Sequence, residues 1–421
     1  MSSQTRPSTL VRGRSGRLLG LAVVSAVLSA FLIVDALPAR ADPVVAPKSG
    51  GFTVRGSGWG HGWGMSQYGA YGAAVKGLSW PRILSFYYPG TARSTLPPRS
   101  MLKVWVTSDN DGSLRVLPSP GLNVRDGVGG RFTVPTGSKY RSWRIGRYGS
   151  GYRLTYRTTD GRDVVQRTGL STGTWSFYNP SKSVRVVMPS GSIRTYRGSM
   201  ALIKWGSGGR TINRVLVEDY VRGVVPAEMP TSWPADAVRA QAVAARSYAV
   251  RLRTTRRHAS YDLCDTVACQ VYRGMSAETA GGDAAVRATK GTILTYRGAV
   301  ALTQFASSNG GHSAQGDHPY LRPKPDPYDG VVRSQAWTRR LTAAHVQRTW
   351  PSVGTLRALQ VTARDGAGSW GGRVNSVKII GSRDTVTVSG STFQSRFGLR
   401  SRLFTVQGAS PASTAQAEPD R

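Results

Sequence analysis

The pattern of apolar and polar positions is clearest from Asn213 to Leu252. Val215, Leu216 and Val217 lead into Tyr220 and Val221, and this β-forming run predicts a strand. Gly223 to Pro230, GVVPAEMP, follows with two prolines around a single acid, Glu228. Proline fixes φ and biases its predecessor towards extended backbone, so the segment predicts a stiff loop. A helix is expected next, with Ser232 as N-cap and Pro234 in the first turn. Val238, Ala242, Ala245, Ala249 and Leu252 recur at helical spacing and form one apolar stripe. Gln241 and Tyr248 lie along one border of that stripe, Arg246 along the other.

Upstream, Phe52 to Arg55 predicts a short strand. Gly56 to Gly64 alternates glycine with Ser, Trp and His, a backbone free to take positive φ and approach a ligand. Met65–Lys76 and Leu78–Tyr88 predict two short helices, the first stopped by Gly77. From Met101 to Trp205, short β-branched and aromatic runs alternate with Gly, Pro, Asp and Ser turns, which predicts a β-sandwich or barrel-like platform. Thr289–Tyr296 and Ala299–Ala306 predict a hairpin around Arg297-Gly298, with Ser307 to Gly311 as a polar lip. Trp337–Leu356 predicts a helix or helix pair, clearest over Thr342–Arg348. Leu356–Val388 predicts a strand meander and Thr392–Gly398 a short helix.

The elements together predict an α+β fold: a β-rich platform with a helix-containing core. The expected divisions are a signal segment at 1–41, a Gly-rich motif segment at 51–95 and the β-rich region at 101–205. A catalytic core at 206–330, its α/β continuation at 331–406 and a disordered tail at 407–421 complete the chain.

Arg12, Arg14 and Arg17, an apolar run from Leu18 to Val34 and Ala39-Arg40-Ala41 predict export with cleavage after Ala41. A secreted, extracellular or wall-associated protein is expected. An uncleaved anchor is the alternative. The net charge of +34, mostly arginine, suits a polyanionic partner or reflects codon bias. An exported chain rarely meets nucleic acid, so anionic wall polymers are the expected polyanion. The two cysteines, Cys264 and Cys269, permit a disulfide in an oxidising compartment.

Glu228 is the candidate acid. Burial beside Val224, Val225, Met229 and Trp233 would disfavour its charged form and keep a proton available near neutral pH. The alternative is an acid that only caps backbone amides or pairs with Arg246. His61, Ser66 and Gln67 offer hydrogen bonds and Trp59 and Trp63 flat faces for a ligand. The alternative there is a structural glycine loop with a satisfied histidine. Asp326 and Asp329 flank a turn that they shape or use to orient other groups.

GVVPAEMPTSWPADAVRAQAVAARSYA resembles the signature of the SpoIID/LytB family of sporulation and cell-wall lytic proteins. CQVYRG at 269–274, ATKGTILTYRG at 288–298 and SSNGGHSAQ at 307–315 agree with it. GWGHGWGMSQYGAYG resembles the family's GHGxGMSQxGA motif. In typical members that motif closes the domain, whereas here it precedes everything else, a permuted order. If the chain termini lie together, either order builds the same site.

The resemblance implies a peptidoglycan-degrading lytic transglycosylase, a lyase that cleaves MurNAc–GlcNAc bonds in wall remodelling or sporulation, with Glu228 as catalytic acid. The candidate substrate contacts are Gln241, Arg246 and Tyr248 on the helix, His61, Ser66 and Gln67 in the glycine motif, and Tyr272 and Ser307 on the cleft wall. No cofactor is required. His258, Cys264 and Cys269 approach the spacing of a zinc trio in some members, and a structural zinc stands as the alternative to the disulfide. The expected partners are peptidoglycan glycan strands, anionic wall polymers and an amidase. The rival function is a non-catalytic wall-binding enhancer of a separate amidase.

Overall fold

The computed structural model describes residues 41–126, 130–170, 174–180, 183–206, 208–255 and 260–408. Most of the expected signal segment, His258 and the tail beyond residue 408 lie outside them.

The fold is α+β. Two sheets face each other across one core, antiparallel except where Leu263–Cys264 runs parallel to Met101–Trp105 in the second. A six-stranded sheet takes its strands from Ser113–Val116, Tyr140–Tyr148, Gly151–Thr158, Asp163–Leu170, Val184–Val187 and Ile193–Tyr196. A seven-stranded sheet includes Met101–Trp105, Ser199–Trp205 and Gly208–Leu216. Trp143, Leu154, Phe177, Val186 and Leu202 are buried between them. The hairpin Ser199–Trp205/Gly208–Leu216 carries the platform directly into the helical part. Val221, Val225, Ala242 and Ala249 of that part join the same core.

The helices are α1 (Gln67–Val75), α2 (Trp80–Tyr87), α3 (Val217–Glu228), α4 (Ala235–Thr255), α5 (Ala280–Ala288), α6 (Ala343–Thr349) and α7 (Gly390–Phe397). The alanines of α4 let α1, α2, α3 and α5 pack closely around it. Ala237, Ala240, Val243 and Ala244 meet Met65, Ala70, Ile83 and Tyr88 in a second buried cluster. α4 starts later than expected: Pro234, not Ser232, supplies the first carbonyl, accepting from Ala237 N at 2.9 Å.

Two local expectations change. The segment GVVPAEMP is helical through Glu228, with Pro226 inside α3. Proline removes its own N–H and crowds the carbonyl four residues back, and α3 ends two residues after Pro226. Ala336–Thr342 is a strand, not part of a helix, because it pairs antiparallel with Gly51–Ser57, Val54 facing Arg339. α6 follows it, capped by Thr342 accepting from His345 N.

Gly51–Ser57 pairs on its other edge with Phe404–Gly408, Val54 opposite Val406. Both ends of the described chain therefore meet in one sheet, the geometry a permuted motif requires. The expected meander is present as Leu356–Arg364, Val374–Gly381 and Thr385–Ser389. Phe52, Val54, Val361, Ile379, Phe393 and Phe404 form a third buried cluster beneath these strands.

Candidate active site

Glu228 is the last residue of α3, and Met229 leaves the helix in extended conformation. The chain then turns through Pro230 and Pro234 into α4. Gly223, one turn inside α3, packs against the Tyr272 ring. A Cβ there would stand 2.8 Å from both Tyr272 Cε2 and the Gly274 carbonyl. The close approach fixes α3 against the segment after Cys269 and brings Val271 to the acid. Val271 N–H donates to Glu228 Oε1 at 2.7 Å. Burial raises the Glu228 carboxyl above its ordinary value, and the Val271 bond only partly opposes this.

The glycine motif reaches the same place. Met65–Ser66 runs parallel to Phe305–Ala306. Gly64 makes this possible with φ of 64°, since any Cβ would lie 2.1 Å from the Gln304 carbonyl. Ser66 caps α1, accepting from Gly69 N at 3.0 Å, and donates to Asp329 Oδ1 at 2.7 Å. Asp329 also accepts from Ser308 Oγ at 2.8 Å and Gly311 N at 2.9 Å. One carboxylate thus clamps the motif to the 307–311 lip. Asp326 accepts from Tyr87 at 2.8 Å and Asn309 at 2.7 Å beside it. Gln67 Nε2 donates to the backbone carbonyl of Glu228 at 3.0 Å. Tyr68 N donates to the Ser307 carbonyl, leaving the half-buried Ser307 side chain at the lip.

Several expected sugar contacts have structural duties instead. His61 Nδ1 accepts from Trp63 N at 2.9 Å, and the ring bonds the Phe305 backbone. Burial and the adjacent Arg373 push its pKa down to about 4, so the ring is neutral at physiological pH. This is a satisfied structural histidine, stacked on Trp63 at 4.7 Å. Ser66 is likewise buried and fully engaged. Arg246 is fully buried and grips Glu218 through two bonds of 2.9 Å, with a further bond to the Thr292 carbonyl at 3.1 Å. It ties α4 to α3 and does not face sugar. Tyr272 is buried, donates to Asn213 at 2.8 Å and forms core against Tyr196 and Tyr220. Burial rather than chemistry decided these roles, and helical spacing alone does not separate a cleft border from a buried one.

Gln241 is different. It is fully buried on α4, and neither side-chain atom has a hydrogen-bond partner in the structure. Unsatisfied buried amides are costly, so this group awaits a partner. Tyr248, two turns further along, packs its ring towards Phe305. Trp59 is half exposed. Tyr68, Tyr71 and Trp233 were not singled out together from sequence, yet their half-buried rings form one cluster, with centroids 5.0 and 4.6 Å from Trp233. Their spacing in SQYGAY, three residues apart on one helix face, was the available signal.

The other nearby acids are occupied. Glu218 pairs with Arg246, Asp219 lies 3.9 and 3.8 Å from Arg197 and Arg222, and Asp236 accepts from Trp80 N at 3.0 Å. Cys264 and Cys269 are joined as a disulfide with Cα atoms 5.5 Å apart. Their sulfurs are bonded to each other and not available as thiolates, so this donor set does not fit zinc.

Residues 206–296 match the family model described as Stage II sporulation protein. The chain carries a SpoIID domain over this segment. An uncharacterized protein of Brachyspira hyodysenteriae is 35% identical over 133 residues, 30% of this chain and 36% of that one. An "Amidase enhancer" of Bacillus subtilis is 37% identical over 128 residues, 29% of this chain and 17% of that one. A "Stage II sporulation protein D" of the same organism is 30% identical over 163 residues, 34% of this chain and 48% of that one. The aligned part spans under half the length of each of these relatives.

Proposed function

We propose that this chain cleaves peptidoglycan glycan strands as an exported lytic transglycosylase, in wall remodelling or sporulation. The observation that carries the reading is the geometry at Glu228: a carboxyl raised by burial, bonded by Val271 N–H and held through its backbone carbonyl by Gln67, at the meeting of α1, α3 and α4. Protonated Glu228 gives its proton to the glycosidic oxygen as the MurNAc C1–O bond breaks. The resulting carboxylate takes the proton of the MurNAc C6 hydroxyl, whose oxygen closes on C1. The product is a 1,6-anhydro end and a free GlcNAc hydroxyl. Because the nucleophile belongs to the substrate, no second carboxylate is needed to place water, in keeping with the engagement of Glu218, Asp219 and Asp236 elsewhere.

Gln241 supplies an amide for an acetamido group or hydroxyl, and Tyr248 lines the same helix face. Tyr68, Tyr71 and Trp233 offer rings for stacking on sugar. No cofactor takes part. Among the described residues no helix is long and apolar enough to cross a membrane. The partners in this reading are glycan strands and anionic wall polymers.

The test is digestion of purified glycan strands followed by mass spectrometry of the ends. New 1,6-anhydro-MurNAc ends from wild type, absent with Glu228→Gln, support the proposal. The similarity to the amidase enhancer favours a second reading, a wall-binding protein acting through a separate amidase. Absence of new ends, with acceleration of an added amidase, would establish that one.

A further inference from the structure

The outer face of the six-stranded sheet carries charge that the cleft chemistry does not use. Trp143, Ile145, Leu154 and Tyr156 point into the core, so Ser142, Arg144 and Gly146, alternating with them, point outward. Across the strands Ser142 faces Arg157, Arg144 faces Thr155, and Gly146 faces Arg153. On the other side Arg115 stands directly opposite Arg144. Two like charges in a cross-strand pair are destabilising unless something neutralises them.

Two cavities open along this face. One, of about 370 Å³, is lined by Arg115, Arg141 and Arg157 with Ser142. The other, of about 250 Å³, is lined by Arg144, Arg147 and Arg153 with Thr155 and Gly146. Ser142 lines one and Arg144 the other, two residues apart on one strand, so the nearest walls of the cavities are roughly 7 Å apart. Asp111 is the one carboxylate lining either cavity, and it is held by Ser113 N and Oγ at 2.8 and 2.9 Å. Asp163 stands opposite Arg157 at the far strand, and the buried Asp109 acts on Arg115. Among the described residues none of the six arginines forms a salt bridge within 4.0 Å. Arg144 Nε is buried without a hydrogen-bond partner, whereas Arg147, on the inner side opposite Tyr152, lies over that ring at 4.8 Å and donates from Nη2 to the Gly149 and Ser150 carbonyls. Guanidinium does not lose its proton, so neutralisation has to come from outside.

We infer that this arginine ladder is a binding site for a polymer of repeated phosphodiesters that carries no bases. Guanidinium forks match phosphate oxygens in two-point contacts. Two adjoining cavities along one face suit a chain with regularly spaced anions better than a single small ion. The outward residues between them are Ser, Thr, Gly and Arg; the exposed Tyr148 lies beyond them at the strand end under Arg153, 5.4 Å from its ring, so among the described residues this stretch offers no row of rings for successive bases to stack on. The site lies on the β-rich platform and is independent of the reaction at Glu228.

The experiment measures binding of the purified chain to synthetic poly(glycerol phosphate), with oligo-dT and polygalacturonate of matched charge as comparisons. Arg144→Gln, Arg153→Gln and Arg157→Gln are combined in one variant. A control variant combines Arg339→Gln, Arg357→Gln and Arg396→Gln, exposed positions elsewhere with the same change in net charge. The ladder variant should weaken poly(glycerol phosphate) binding at least ~10-fold and flatten its salt dependence by about 2 in logarithmic slope. The control should stay within about twofold of wild type. Equal loss in the control would reduce the effect to net charge and overturn the site. Oligo-dT or polygalacturonate binding as tightly, through the same residues, would overturn the phosphodiester assignment. Thermal melts of both variants show that each is folded. Without ligand, the ladder variant should melt no lower than wild type, because it removes mutual repulsion. The assay contains no glycan, so it stands or falls separately from cleavage.

Discussion

Gln67 and Glu228 are 161 positions apart, yet the Gln67 amide donates to the Glu228 backbone carbonyl at 3.0 Å. The bond joins the first residue of α1 to the last residue of α3. It makes the glycine motif a support for the acid, whatever its place in the chain order. Replacing Gln67 with Leu keeps the volume and removes the bond. A loss of about 0.5–1.5 kcal/mol in stability is expected from one hydrogen bond. If Gln67 positions the acid, kcat on glycan strands should fall about tenfold with little change in KM, and Gln67→Asn should not restore it. An unchanged kcat would leave Gln67 a purely structural residue.

Glu228→Gln should lower turnover at least ~10²-fold, the lower range for general acid–base catalysis. Glycan binding should persist, because the amide retains the acceptor that Val271 N–H uses. Co-sedimentation with glycan and end-group mass spectrometry read the two properties separately. Glycan cut at the wild-type rate would remove Glu228 from the mechanism.

Burial holds the Glu228 carboxyl above the ordinary glutamate value of about 4.3. The folded chain therefore binds this proton more tightly than the unfolded chain. The stability so contributed is complete below about pH 4.3 and is lost as pH rises through the raised folded value. Melting curves of wild type and Glu228→Gln should converge in acid. At neutral pH the variant should be the more stable. kcat/KM of wild type should fall as pH climbs through the same raised value. Parallel melting curves at all pH values would show that the carboxyl is not shifted.

Glu218→Gln tests the opposite kind of acid. Its carboxylate receives both Arg246 nitrogens and the Gly291 amide at 3.0 Å. Breaking a pair whose arginine is fully buried should cost on the order of 3 kcal/mol and lower Tm clearly. Turnover per folded molecule should stay near wild type. A large loss of kcat at an unchanged Tm would assign Glu218 to the chemistry.

The disulfide closes a short loop two residues before Val271, the donor to Glu228. Cys264→Ser with Cys269→Ser should cost about 2 kcal/mol by loop closure and reduce kcat through a less ordered Val271. Denatured, unreduced protein should show no free thiol. Free thiols with stoichiometric zinc would replace the disulfide with a metal site.

Local spacing was enough for much of this protein. The apolar stripe of α4, the helices after the glycine motif, the meander 356–388 and the stop of α7 at Gly398 are set by neighbours within a few residues. Glu228 lies within the segment that matches the SpoIID model. Long-range packing decided the rest. Ala336–Thr342 is a strand because Gly51–Ser57 offers it an edge. Arg246 and Tyr272 belong to the core because Glu218 and Asn213 satisfy them there. His61 is neutral because Arg373 and burial meet at its ring. An α-helical period tells which residues share a face. What covers that face, and whether a polar group on it meets a partner, depends on residues a hundred or more positions away.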